Sequence, residues 1–168
     1  ASDVYKRQTN GRSIPTPRGK VIGGSSSING LIFNRGQKMD FDVWAQKGNK
    51  GWGYEDVLPY FKRFESHRGQ SDNKFRGKSG ELVVTNLDWR DPLCEAFIEG
   101  AASLGIPHNR DYNGQNQLGT SYVQRTSTGK IRMSAARAFL KPAKNRLNLN
   151  VVTNAFATKI LFDGKSAT

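Results

Sequence analysis

The sequence is poor in several things. It has one cysteine, Cys94, which excludes an internal disulfide and a cysteine-based zinc cage and fits a reducing compartment. No apolar run approaches the roughly 18 residues of a membrane span, which excludes transmembrane anchoring of this stretch. Acid is missing from Tyr112 to Phe162, although Arg125, Lys130, Arg132, Arg137, Lys141, Lys144, Arg146 and Lys159 fall there. Histidine occurs twice, at His67 in a polar, basic stretch and at His108 after Ile106-Pro107, and both read as surface residues. Neither a P-loop nor a complete GxGxxG is present: the upstream glycine that Gly77-Lys78-Ser79 and Gly164-Lys165-Ser166 require is Asp72 or Lys159. The first eight residues contain no Met and no apolar signal core, so the chain is expected to start inside a longer protein, placed in the cytoplasm or an organelle matrix.

What is present suits a folded domain. The 168 residues include nine Phe, five Tyr and three Trp, too many large apolar rings for a disordered chain. The net charge of +12 invites a nucleic-acid reading. Eight of those charges sit in the acid-free segment, with no consecutive basic block and no RNA-binding aromatics. A solvated face accounts for them more economically, and a basic nucleic-acid-binding module stays as the alternative.

Local patterns predict mixed helix and strand, an α/β (α+β mixed) class. Helices are expected over 38–47, closed by Gly48, and over 54–65, where Pro59 ends or kinks the first turn. Asp91-Pro92 should open a third helix with Leu93, Phe97, Ala101 and Leu104 as its apolar stripe and Gly105 as its stop. Ser134 caps a fourth, running to about Leu140 before Pro142. Strands are expected over 81–86, 119–127 and 155–162, the last turning at Asp163-Gly164. Residues 67–80 read as an exposed loop and Cys94 as a small packing residue.

The glycine-rich stretch Gly23-Gly24-Ser25-Ser26-Ser27 has a physical use. Adjacent glycines let backbone approach a ligand, and amides followed by hydroxyls can satisfy a pyrophosphate or a ring carbonyl. Its context is specific. Gly19-Lys20, Ile22-Gly23-Gly24, Ser25-Ser26, Ile28-Asn29, Phe33, Gly36 and Asp42 meet every demanded position of the first signature of the glucose–methanol–choline (GMC) family of flavin oxidoreductases. The run from Gly51 to Phe61 is similar to the segment that follows in choline dehydrogenase-like members. Arg132 to Ala136, Ala138 to Leu140 and Asn148 to Val151 resemble later FAD-domain segments, so the likeness covers about residues 10–168.

The resemblance implies a fragment of an FAD/NAD(P)-binding Rossmann-like domain plus part of the GMC substrate domain. It divides into 1–66 with the signature loop 18–36, an insert over 67–118, and a return over 119–168. It implies FAD as cofactor and oxidation of a CH–OH group in a small alcohol, with a histidine base and hydride transfer to the flavin. Val21, Gly24, Asn29, Gly30, Leu31 and Ile32 would line the flavin and its ribityl-pyrophosphate, and the Ala157 backbone the adenine end. Leu31 and Ile32 also read as a buried strand, and Asn29 as a buried amide that needs partners. The upstream dinucleotide fingerprint, the second signature and the C-terminal catalytic histidine are not in this chain, so no catalytic residue and no metal ligand are assigned. Where choline oxidases attach flavin through a histidine stands Ile28, which implies dissociable FAD. The chain alone is expected to be inactive and to hold FAD poorly. A non-catalytic relative that keeps the fold is the remaining alternative.

Overall fold

The computed structural model describes residues 10, 12 and 14–167. The signature begins as an extended lead into a short 3-10 turn, Gly24–Ser27. Helix α1, Lys38–Gln46, starts where the Asp40 carboxylate accepts the Gln37 amide at 2.7 Å. Helix α2, Tyr54–Phe64, is begun in the same way, with Asp56 accepting the Gly53 amide at 3.1 Å and Asp42 of α1 accepting that of Tyr54 at 2.9 Å. Acids in its first turn and Lys62 and Arg63 in its last complement the helix dipole. The helix runs through Pro59, which lacks only the one amide hydrogen bond to the turn before it.

Strand β1, Glu65–His67, pairs in parallel with β2, Leu82–Val84, Glu65 facing Leu82. Asp91 caps helix α3, Pro92–Ser103, by accepting the Leu93 amide at 2.9 Å, and Gly105 ends it with φ +84°. Strands β3, Ser127–Thr128, and β4, Ile131–Arg132, form a tight antiparallel hairpin. A π-helical turn, Ala136–Leu140, then leads into helix α4, Lys141–Ala143. Its wider winding sits where Pro142 brings a ring and no amide hydrogen. Strands β5, Phe162–Asp163, and β6, Ser166–Ala167, flank the expected turn, with Gly164 at φ +57°.

Apolar packing is concentrated at one place, where Tyr54, Leu58 and Phe75 are buried with Phe41 against them. Burying a side chain of that size contributes about 1.5–3 kcal/mol. Ring edges of Trp44 and Phe61 extend the cluster from Phe41.

Several expectations are corrected. The 67–80 stretch is not an exposed loop: His67, Phe75 and Arg76 are buried, the last 1% exposed. Arg76 faces opposite charges instead of water, which polarity along a sequence does not reveal, while Arg68, Asp72, Lys74 and Lys78 are exposed as expected. His67 is likewise interior, its ring nitrogens each 3.2 Å from Ser71 Oγ and Asn86 Oδ1. The α3 stripe faces outward, with Leu93 80% and Leu104 82% exposed, and Cys94 is exposed too. Only Ile98 of that helix is buried. The 119–127 strand is reduced to single bridges at Thr120 and Arg125 and to Ser127 at the start of β3, and no strand forms over 155–161. A strand needs a partner edge, and these segments meet little of one. Pro142 does not end the fourth helix, which continues to Ala143.

Candidate functional site

The first half of the signature, residues 21–32, folds as a turn at the surface. Gly23 and Gly24 take φ +94° and +56°, conformations that a side chain resists, and a Cβ added to Gly24 or to Gly30 would meet nothing within 4 Å. The backbone there is bare. Around it Val21, Ile22, Ile28 and Ile32 stand more than half exposed, an apolar rim on a polar turn. The serine hydroxyls point inward. Ser26 Oγ donates to Gly23 O at 2.5 Å, Ser27 Oγ donates to Ile22 O at 3.0 Å, and Ser25 Oγ accepts from Gly19 N at 3.2 Å. They shape the loop, and the bare peptide groups are what a ligand would meet.

Asn29 is exposed, not the buried amide expected; its Oδ1 accepts the Leu31 amide at 3.1 Å and Arg132 Nη1 at 2.8 Å. Leu31 is half-buried with φ +68°, a left-handed conformation that costs a residue with a Cβ about 1–2 kcal/mol. Its carbonyl is pinned by Thr126, N at 2.9 Å and Oγ1 at 3.2 Å. Ile32 is exposed and bridges to Arg125, so the buried-strand reading of this pair fails: the turn is a surface feature. The structure thus gathers Val21, Gly24, Asn29, Gly30, Leu31 and Ile32 on one turn. Ala157 lies apart, exposed in the irregular 151–161 stretch.

Beneath the turn lies a buried ionic network with no counterpart in the sequence reading. Glu65, fully buried, receives Arg35 and Arg76 on its two oxygens and the Gly77 amide at 3.0 Å. Arg76 also pairs with Asp111 and reaches Gln124 Oε1 at 3.0 Å. Two cations and two anions balance, and Gln124 and Asn113 fill the remaining positions, Asn113 Nδ2 donating to Gln124 Oε1 at 2.7 Å. The network sews in the extended segment that follows the turn: Phe33 O accepts Tyr112 Oη at 2.9 Å and Asn113 Nδ2 at 3.1 Å, and Arg35 N donates to Asn113 Oδ1 at 2.8 Å. Burial lowers the Arg35 pKa against the opposing pull of Glu65, while burial and then Arg76 lower that of His67. Burial raises the Tyr112 phenol and keeps it a donor. These residues carry no periodic or spacing signal, because their partners come from segments 11 to 80 residues apart.

Two clefts border the turn. An open one of about 1820 Å³ includes Ile32 and runs between Asn34–Met39 and the 107–121 segment, its wall rich in carboxamides such as Asn34, Gln37, Asn109 and Gln117. A smaller apolar slot of about 390 Å³ lies between Gly23, Ala136, Phe139 and Leu149. Among the described residues no cluster of three or more His, Cys, Asp or Glu could hold a metal, and no helix is long and apolar enough to cross a membrane.

The GMC oxidoreductase profile matches residues 5–168. The chain belongs to the GMC oxidoreductase family. The oxygen-dependent choline dehydrogenase of Brucella ovis is 48% identical over 157 residues, 94% of this chain and 28% of that protein. Pyridoxine 4-oxidase from Mesorbium loti superposes with a TM-score of 0.81 at 33% identity, over 89% of this chain and 30% of that one. An FAD-dependent oxidoreductase from Chaetomium thermophilum gives 0.85 at 27% identity, over 96% and 30%. The chain therefore spans under a third of the length of these GMC relatives. The chain shares its fold with these structures and is itself mixed helix and strand, as expected from sequence.

Proposed function

We propose that the gene product carrying this chain binds FAD without a covalent link and oxidises the CH–OH group of a small alcohol, choline being the first candidate. The observation that carries the reading is the bare, apolar-rimmed turn on which Val21, Gly24, Asn29, Gly30, Leu31 and Ile32 come together in a GMC chain. Its chemistry fits the group: open glycine backbone suits a pyrophosphate or ring carbonyl, and exposed aliphatics suit a flat ring. When bound, FAD supplies the acceptor for the hydride that leaves the carbinol carbon as the hydroxyl proton departs. The chain's own part is binding and orientation: Gly24 and Gly30 admit close approach, Val21 and Ile32 exclude water, and Ile28 offers no nitrogen for attachment. The cleft beside Ile32, walled by carboxamides and by charges of both signs, gives a small polar molecule a polar approach.

The test uses the purified full gene product. Flavin that is released on denaturation and whose visible absorbance bleaches on anaerobic addition of choline is the expected result. Flavin that no small alcohol bleaches would mark a non-catalytic relative, and absence of flavin would refute the reading. Nothing in the comparisons supports nucleic-acid binding; steeply salt-dependent DNA or RNA retention would revive it.

A further inference from the structure

Besides Thr126 on the Leu31 carbonyl, a second side chain from about a hundred residues further on holds the signature turn. Arg132, at the end of β4, directs Nη1 to Asn29 O at 2.7 Å, Asn29 Oδ1 at 2.8 Å and Ser26 O at 3.3 Å. Asn29 Oδ1 accepts the Leu31 amide as well, so the guanidinium and the strained Leu31 peptide share one oxygen. The adjoining backbone joins the same clasp, Ala135 N donating to Ser26 Oγ at 2.8 Å. No ion pair among the described residues includes Arg132, and its segment has no acid. Its charge is directed wholly at the oxygens of the turn. All three contacts come from the one nitrogen Nη1, held in place by the planar guanidinium, whereas a lysine ammonium ends a flexible stem with rotatable donors.

We propose that Arg132 is a positioning residue for the cofactor, acting through Asn29 to fix the shape in which the turn meets the flavin. The proposal rests on the flavin reading above and adds to it a residue outside the signature. It makes a specific demand: Arg132 and Asn29 must act as one unit.

The test compares the flavin-loaded full gene product with Arg132→Ala, Arg132→Lys, Asn29→Ala and the double alanine variant. FAD is titrated back into each apoprotein, the visible flavin spectrum is recorded, and the apoprotein melting temperature is followed. Each single alanine variant should bind FAD about tenfold more weakly or worse, as expected for loss of a charge-assisted hydrogen bond. The double variant should be no weaker than the worse single one, and the fine structure of the visible band should change in all three. Arg132→Lys should recover little of the affinity; it preserves charge and stem, and so still decides the matter if the alanine variant does not fold. Wild-type affinity and spectrum in Arg132→Ala would overturn the proposal, as would losses that simply add. Altered melting with unaltered spectrum would also overturn it, leaving a role in stability alone. A wild-type protein that takes up no FAD would overturn the functional reading, and this role with it.

Discussion

At the scale of the residue, Glu65 is the carboxylate shared by two buried arginines, of which Arg76 also pairs with Asp111. Glu65→Ala leaves both charges buried, and breaking such a pair from one side costs about 3–5 kcal/mol. That is a large share of the roughly 5–15 kcal/mol that holds a typical domain. A collapse of the urea midpoint is expected, and a midpoint within experimental error of wild type would show the network to be dispensable. His67 gives a second residue-scale expectation, through proton linkage. Its folded-state pKa lies below the ordinary 6.5, chiefly by burial, so the unfolded chain takes up the proton first as pH falls. Stability is therefore full above pH 6.5 and declines below it, toward the folded-state value. The charge of Arg76 adds to the effect, while the Asn86 hydrogen bond opposes it. His67→Gln should flatten this acid-side slope in melting temperatures measured on both sides of neutrality; an unchanged slope would assign it to other groups.

At the scale of the element, α3 rests on its cap more than on its packing, because only Ile98 is buried. Asp91→Ala should cost about 1 kcal/mol and Asp91→Asn much less, read from thermal melts followed by helical circular dichroism. Equal losses for the two substitutions would mean that the carboxylate charge, not the cap, matters. This helix also shows what a sequence can reveal. Asp91, Pro92 and Gly105 mark its ends through local chemistry, as do Asp40 and Asp56 for α1 and α2 and Asp163-Gly164 for the last hairpin. The direction in which its stripe faces depends on what lies opposite, which no local pattern encodes. The strand expected over 155–162 formed only at Phe162 for the same reason, since an apolar, strand-prone run does not supply its own partner edge. The site divides along the same line. The turn residues are contiguous and legible as a motif, whereas Arg132 joins Asn29 across 103 residues. Arg76 fell in a stretch expected to be an exposed loop, whereas pairing, not polarity, decides whether a charge is buried.

At the scale of the whole molecule, the accessible surface is 13317 Å², against about 8300 Å² expected for a compact monomer of this mass. Exposed Leu147, Phe156 and Phe162 contribute to that excess, while the interior is built largely from ions and amides. This ionic interior has a thermal consequence. Hydration of newly exposed apolar groups raises the heat capacity and that of polar groups lowers it. A chain whose unfolding releases Glu65, Arg76, Gln124 and Asn113 into water, with few buried aliphatics, should absorb less extra heat per degree than ordinary domains. Calorimetry of the 168-residue chain should give an unfolding heat-capacity increment below the usual range of about 12–15 cal/mol/K per residue. A value within that range would contradict the picture of an ionic core. With a small increment, stability against temperature becomes a shallow arc instead of a steep dome, and cooling this chain should weaken it little.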